Sequence, residues 1–229
     1  MTIDEYFGDW KRVIDLREAD SLLKELISMK RDKHILLCPS PKNTFKCFNL
    51  CSLSGLRVVI VGQDPYPNYL NNRPVATGLA FANSSDTLEK DYSPSLKVLR
   101  DSFIDFGSQS ESINFDSSLE SWERQGVLLL NAALSCQKDK VGSHTLLWRP
   151  FITLLLTNLS KVATGIVYVL MGSYAQSFET CINSNFNYVF KVKHPSYYAR
   201  VHEDMPDIGY KINQILIGQN GYGIKWYNN

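Results

Sequence analysis

Four polar side chains in this sequence each stand just past a run of apolar, strand-like residues: Asp64 after VVIVG, Asn131 after VLLL, Ser173 after IVYVLMG and His194 after NYVFKVK. An acid, an amide, a hydroxyl and an imidazole are the groups from which proton transfer, hydrogen-bond reading of a planar ligand and transition-state stabilisation are built. Taken singly, each has a plainer explanation. An Asp or Asn after a strand satisfies turn backbone, a Ser starts a helix, and a His before Pro is often structural. Together they make one site only if the strands run parallel and share a rim at their carboxyl ends.

The elements that must position them point that way. Val58 to Val61 is an unbroken apolar run, fitting a strand buried on both faces, and Gly62 ends it. Pro65 fixes its own backbone angle and biases Asp64 towards an extended conformation, so the acid sits on a stiff turn with Gln63 and Tyr66 beside it. PNYLNNRP is a polar loop, after which GLAFAN brings Phe81 within fifteen positions of Tyr66. Ser93, Pro94 and Ser95 open a helix with Leu96, Leu99, Phe103 and Phe106 on one face. Ser117 and Glu120 have capping-box spacing at the start of SLESWERQG, as do Ser173 and Gln176 after the third strand, where a glycine and an exposed helix start would suit a phosphate. Residues 146 to 162 form a long apolar helix. Strands and helices thus alternate, which predicts a mainly parallel four-stranded sheet with right-handed crossovers.

Upstream, residues 4 to 30 are predicted to be helical, with Asp20 or Ser21 able to cap a second helix. Pro39 and Pro41 break that pattern, and Phe45 and Phe48, three apart in the following turn, belong to the core. The whole fits a single domain over 1–229, with 1–55 as an N-terminal helical layer and 56–227 as the catalytic core.

Composition narrows the chemistry. The chain has no metal-ligand spacing, no G-x-S-x-G elbow and no G-x-G-x-x-G loop, which weakens metal, acyl-transfer and dinucleotide readings. With 24 basic and 23 acidic residues, contact with nucleic acid must come from local clustering. One such cluster exists: Lys191, Lys193 and Arg200 surround His194 without an intervening acid and are interleaved with Tyr197 and Tyr198. Cations beside aromatics fit a nucleic-acid backbone with an unstacked base, or else a solvated basic turn. Cys38, Cys47, Cys51, Cys136 and Cys181 form no CxxC pair and are expected to be reduced structural thiols. An iron–sulfur cluster on Cys38, Cys47, Cys51 and Cys136 is the sharper alternative, though their spacing matches no familiar ligand run. Neither a signal-like N-terminus nor a membrane-length apolar segment is present, so the expected location is the cytoplasm, or the nucleus in a eukaryote or nuclear virus.

At this point the motifs resemble those of a known family. GQDPY at 62–66, GLAF at 78–81, SWERQGVLLLN at 121–131, GS at 172–173 and HPS at 194–196 are similar, in the same order, to the family 1 uracil-DNA glycosylases; CPSPKNTFKCF and GIKW extend the likeness over most of the chain. The resemblance implies the three-layer α/β/α uracil-DNA glycosylase-like fold. It also implies hydrolysis of the N-glycosidic bond of deoxyuridine in DNA, with base flipping, no cofactor and an abasic product. It would make Asp64 the group that orients water and stabilises the cationic sugar, and a neutral His194 the donor to uracil O2. Asn131 would read N3–H and O4, Tyr66 would exclude a thymine methyl group, Phe81 would stack on the base and Gln63 would line the pocket. Ser93, Pro94, Ser95, Gly172, Ser173 and Ser196 would grip the DNA backbone, with Arg200 in the basic cluster and Tyr198 at the wedge position.

The sequence departs from the family where Tyr197 and Tyr198 replace the usual proline and leucine, where Pro67 replaces histidine and where Ser93 replaces proline. The loop between Tyr66 and Phe81 is about four residues longer than the pattern leads one to expect. The expected partner is uracil-containing DNA, single- or double-stranded, met by a monomer; a proteinaceous inhibitor or a replication partner is a further option. Rival readings are a non-catalytic DNA-binding or replication-scaffold protein on the same fold, and a cluster-bearing glycosylase of the same superfamily.

Overall fold

The computed structural model describes residues 3–103 and 115–227. Four strands, β1 (Val58–Gly62), β2 (Val127–Asn131), β3 (Val167–Met171) and β4 (Tyr188–Val192), form one sheet in the order β2-β1-β3-β4, every pair parallel. The main helices around it are α1 (Leu16–Asp32), α2 (Pro94–Phe103), α3 (Thr145–Val162), α4 (Pro195–Val201) and α5 (Ile208–Asn220). This is the three-layer α/β/α arrangement expected. The chain leaves β1 towards β2, then crosses back to β3 on the other side, so a switch point lies at the carboxyl ends of β1 and β3.

Register does the positioning. Gly62 pairs with Asn131, Val61 with Leu170, and Met171 with Val192. The last residues of all four strands therefore stand in one row, and Asp64, Asn131, Ser173 and His194 each lie at or within two residues of it. β1, β2 and β3 are buried along their whole length. β2 achieves this at the sheet's edge because its outward Leu129 is covered on both backbone groups: its N–H donates to Glu123 (2.8 Å) and its carbonyl accepts from Ala80 (3.1 Å). Burial drives the Glu123 carboxyl well above its ordinary range. β4, expected to be buried, is instead a half-exposed edge strand.

Helix starts differ from expectation in an instructive way. The cap of α1 is Asp15, which accepts from the N–H groups of Arg17 and Glu18, rather than Asp20 or Ser21. No capping box forms at Ser117: its hydroxyl donates to Ser84, and Asp116 takes the N–H groups of Ser118 and Ser121. After β3, Gly172 precedes the short helix Ser173–Gln176, and Gln176 reaches across to the Val192 carbonyl instead of capping. At Ser117 and Gln176 a distant carbonyl, of Ser84 or of Val192, engages the side chain that the local spacing rule assigns to the cap. α2 carries Leu96, Leu99 and Phe103 inward; Phe106 lies outside the described residues.

Two aromatic clusters brace the sheet. Phe7, Trp10, Phe45, Phe48, Trp148 and Phe151 join the N-terminal layer to α3. Trp226, from the C-terminal GIKW, packs edge-on against Phe103 (4.7 Å) and Trp122 (4.9 Å), and its carbonyl accepts from the Trp122 indole. The C-terminal segment thereby fixes α2, whose first turn reaches the strand ends. The cysteines are free and divide into separate packed groups, Cys38 with Cys136 and Cys47 with Cys51, so the four thiols weighed as cluster ligands do not converge. No helix among the described residues is long and apolar enough to cross a membrane.

Candidate active site

A cavity of about 180 Å³ opens at the carboxyl ends of the strands, and Gln63, Asp64, Tyr66, Phe81, Asn131 and His194 line it together with Ser95 and Ser196. It lies below the roughly 300 Å³ at which drug-sized pockets begin, which suits one small planar ring. A larger cavity, about 850 Å³, lies at the opposite end of the strands, where Arg57 and Gly126 precede β1 and β2. Arg57 is committed there to the carbonyls of Tyr222 and Gly223, and no acid–imidazole constellation forms.

Asp64 is held by one strong contact: its Oδ2 accepts from the Gly142 N–H at 2.7 Å. Burial raises its pKa above the ordinary 3.8, against the hydrogen bonds from Gly142 and Gln63 that stabilise the ionised form. The outcome is a fixed and partly desolvated carboxylate.

Asn131 is 7% exposed, and its side-chain amide makes no hydrogen bond to another described residue, so its donor and acceptor are left for a ligand. Gly62 makes room for it. A Cβ there would lie 2.8 Å from Asn131 Oδ1 and 2.9 Å from the Phe81 ring. Phe81 itself has φ 67°, a left-handed conformation that bulky residues rarely adopt and that often marks a functional site. Its carbonyl accepts from the Tyr66 hydroxyl (2.9 Å), and its ring lies 5.5 Å from that of His194.

His194 caps α4 from an extended backbone, and its Nδ1 accepts from the Ser196 N–H (3.2 Å) with the Ser196 hydroxyl also within 2.8 Å. A backbone N–H can only donate, so Nδ1 is unprotonated and the neutral ring carries its proton on Nε2. Burial pulls the pKa of His194 from 6.5 to about 4, which keeps the ring neutral. Gly172, at φ 87°, lets β3 end close by: a Cβ on it would come within 3.0 Å of the His194 Cβ.

The remaining sequence candidates lie outside the cavity wall. Ser93 is bound through its N–H and hydroxyl to the buried Asn83, which fixes the start of α2. Pro94, Ser173 and Arg200 are exposed. Tyr198 is only 9% exposed and packs into the core, because α4 lies against α2 and turns that side inward. Of the basic cluster, Lys191 is paired with Glu179 at 3.0 Å.

Sequence reasoning missed the segment 132–145. It supplies the Gly142 N–H, and it is pinned from beneath: Trp148 donates to the Ser135 hydroxyl (2.8 Å), which is also hydrogen-bonded to His144 Nδ1 (2.9 Å). A backbone donor leaves no mark in a sequence. The only signal was Gly142-Ser143-His144 immediately before α3.

Comparison with known proteins agrees with this geometry. Residues 48–216 match the model of the uracil DNA glycosylase superfamily. A uracil-DNA glycosylase of Mycoplasmopsis pulmonis is 32% identical over 95% of this chain and 96% of its own. One from Campylobacter jejuni is 34% identical over 74% of this chain and 70% of its own. The mimivirus uracil-DNA glycosylase structure superposes with a TM-score of 0.76 at 21% identity, covering 97% of this chain and 90% of that one. Its Y322L variant, at the same TM-score, was solved in complex with UGI. The chain belongs to the uracil-DNA glycosylase superfamily. Within that class, the relatives that match most of the chain are named uracil-DNA glycosylases.

Proposed function

We propose that the cavity receives a uracil swung out of DNA and that Asp64 and His194 act on the two sides of its glycosidic bond. The bond between C1′ and N1 breaks with its electrons moving onto the base, and water completes the sugar. Asp64, fixed by Gly142, orients that water and faces the cationic sugar. His194 offers Nε2–H to uracil O2 as negative charge grows there, and being neutral it stabilises the anion without protonating it.

Discrimination rests on Asn131. Its carbonyl accepts from N3–H and its amide donates to O4, whereas cytosine presents an acceptor and a donor in those places. Phe81 stacks on the base, Tyr66 stands where a 5-methyl group would go, and Gln63 completes the wall. Ser93 to Ser95, Gly172, Ser173 and Ser196 surround the mouth and are assigned to the phosphate backbone. Extrusion costs a few kcal/mol of stacking and pairing, least in single strands and mismatches, so these contacts must offset it.

The observation that carries the proposal is the convergence of a desolvated carboxylate, a free amide and an Nε2–H imidazole on one small cavity. The test is release of free uracil from single-stranded, U·A and U·G oligonucleotides. DNA binding without release would favour the scaffold reading instead. A proteinaceous inhibitor that occupies the same mouth is the partner that the UGI complex of the mimivirus protein suggests.

A further inference from the structure

Helix α4 carries two adjacent tyrosines with opposite fates. Tyr198 points into the core, while the half-buried Tyr197 stays at the surface, its ring edge-on to Tyr198 at 5.4 Å. The Tyr197 N–H donates to the His194 carbonyl at 2.8 Å, so the tyrosine sits one turn after the residue whose imidazole faces the cavity. Lys193 places its ammonium 3.8 Å from the ring centroid, and the Arg200 guanidinium lies 5.9 Å away. Neither cation forms an ion pair with an acid among the described residues, unlike neighbouring Lys191. An aromatic ring flanked by two exposed cations that no carboxylate pairs is the arrangement that single-stranded nucleic acid prefers: the base stacks, and the cations take the phosphates.

We propose that Tyr197, Lys193 and Arg200 form a subsite for the nucleotide next to the extruded uracil on the same strand. Its base stacks on Tyr197, and Lys193, which occupies that ring face in the free protein, moves aside to a phosphate. Tyr198 is the buried anchor that holds the platform rigid. This rests on the function proposed above and adds to it a requirement for a base at the neighbouring position.

The experiment uses single-stranded oligonucleotides with one uracil, in which the base on its 5′ or 3′ side is replaced by an abasic spacer. With the wild-type protein, one of the two spacers is expected to lower kcat/KM by about tenfold, the size that base–aromatic stacking gives on alanine substitution. Tyr197→Ala should show the same loss on the intact oligonucleotide and no further loss with the spacer, while its circular dichroism stays that of the wild type. Lys193→Met should reduce the slope of log kcat/KM against log salt by about 0.7, one phosphate's worth on a single strand. Independent losses from spacer and mutation, or a Tyr197→Ala variant as fast as wild type, overturn the subsite. So does a Tyr197→Ala loss confined to duplexes, which would make the ring a plug for the emptied stack. Absence of uracil release by the wild-type protein would instead overturn the proposed function itself.

Discussion

The protonation of His194 offers the most direct check on the chemistry. Its pKa lies near 4 where a free imidazole has 6.5, because the ring is buried beside Phe81 and no acid compensates. A gap of about 2.5 pH units at 1.36 kcal/mol each sets roughly 3 kcal/mol against the imidazolium in the folded protein. Since the folded value lies below the unfolded one, this contribution to stability is complete above about pH 6.5 and is lost as the pH falls from there towards about 4. Nitrogen-15 NMR of the labelled imidazole, titrated from pH 8 to 5, should find His194 neutral throughout, with Nε2 protonated and Nδ1 bare. His194→Gln removes the aligned donor and should lower kcat by about 10²-fold, the usual effect of losing one oxyanion donor. A titration midpoint near 6.5, or a proton on Nδ1, would refute the assignment of His194 as a neutral donor.

Asp64→Asn should cut turnover by about 10²-fold or more and leave DNA binding intact. Because burial raises the Asp64 pKa, its ionised form opposes folding above the unfolded pKa, so calorimetry at pH 7 should give the variant a melting temperature no lower than that of the wild type. Gly62→Ala would set a methyl carbon 2.8 Å from Asn131 Oδ1; uracil release should fall more than stability, as activity and urea melts measured side by side would reveal. Trp226→Ala should destabilise the protein by about 3–5 kcal/mol in denaturant melts, through loss of the contacts with Phe103 and Trp122.

Much of this architecture was readable because it rests on strong local patterns. Unbroken apolar runs announced β1, β2 and β3, and a parallel sheet then required Asp64, Asn131 and His194 to meet. β4 was harder to judge: YVFKV is apolar enough to suggest burial, but only its place at an open edge determines its exposure. Capping was misread where a distant carbonyl engaged the side chain, as that of Ser84 does Ser117, and where a neighbouring carboxylate, Asp116, took the helix N–H groups. The tyrosine pair could not be resolved from sequence, since which of two adjacent helical residues faces inward depends on where α2 lies. Gly142 was invisible because its contribution is a main-chain N–H.

The pairing of Gly62 with Asn131 has a consequence for how such a chain tolerates change in length. Side chains alternate along a strand, so losing or gaining one residue within β2 would swing the amide to the opposite face and deliver Leu130 or Ala132 in its place. A protein altered in this way would still have a hydrophobic sheet to fold around, yet it would be blind to the base it is meant to select. Insertions are therefore expected to accumulate in stretches such as 67–77, outside the paired strands, while the spacing from each strand's first residue to its polar terminus stays constant.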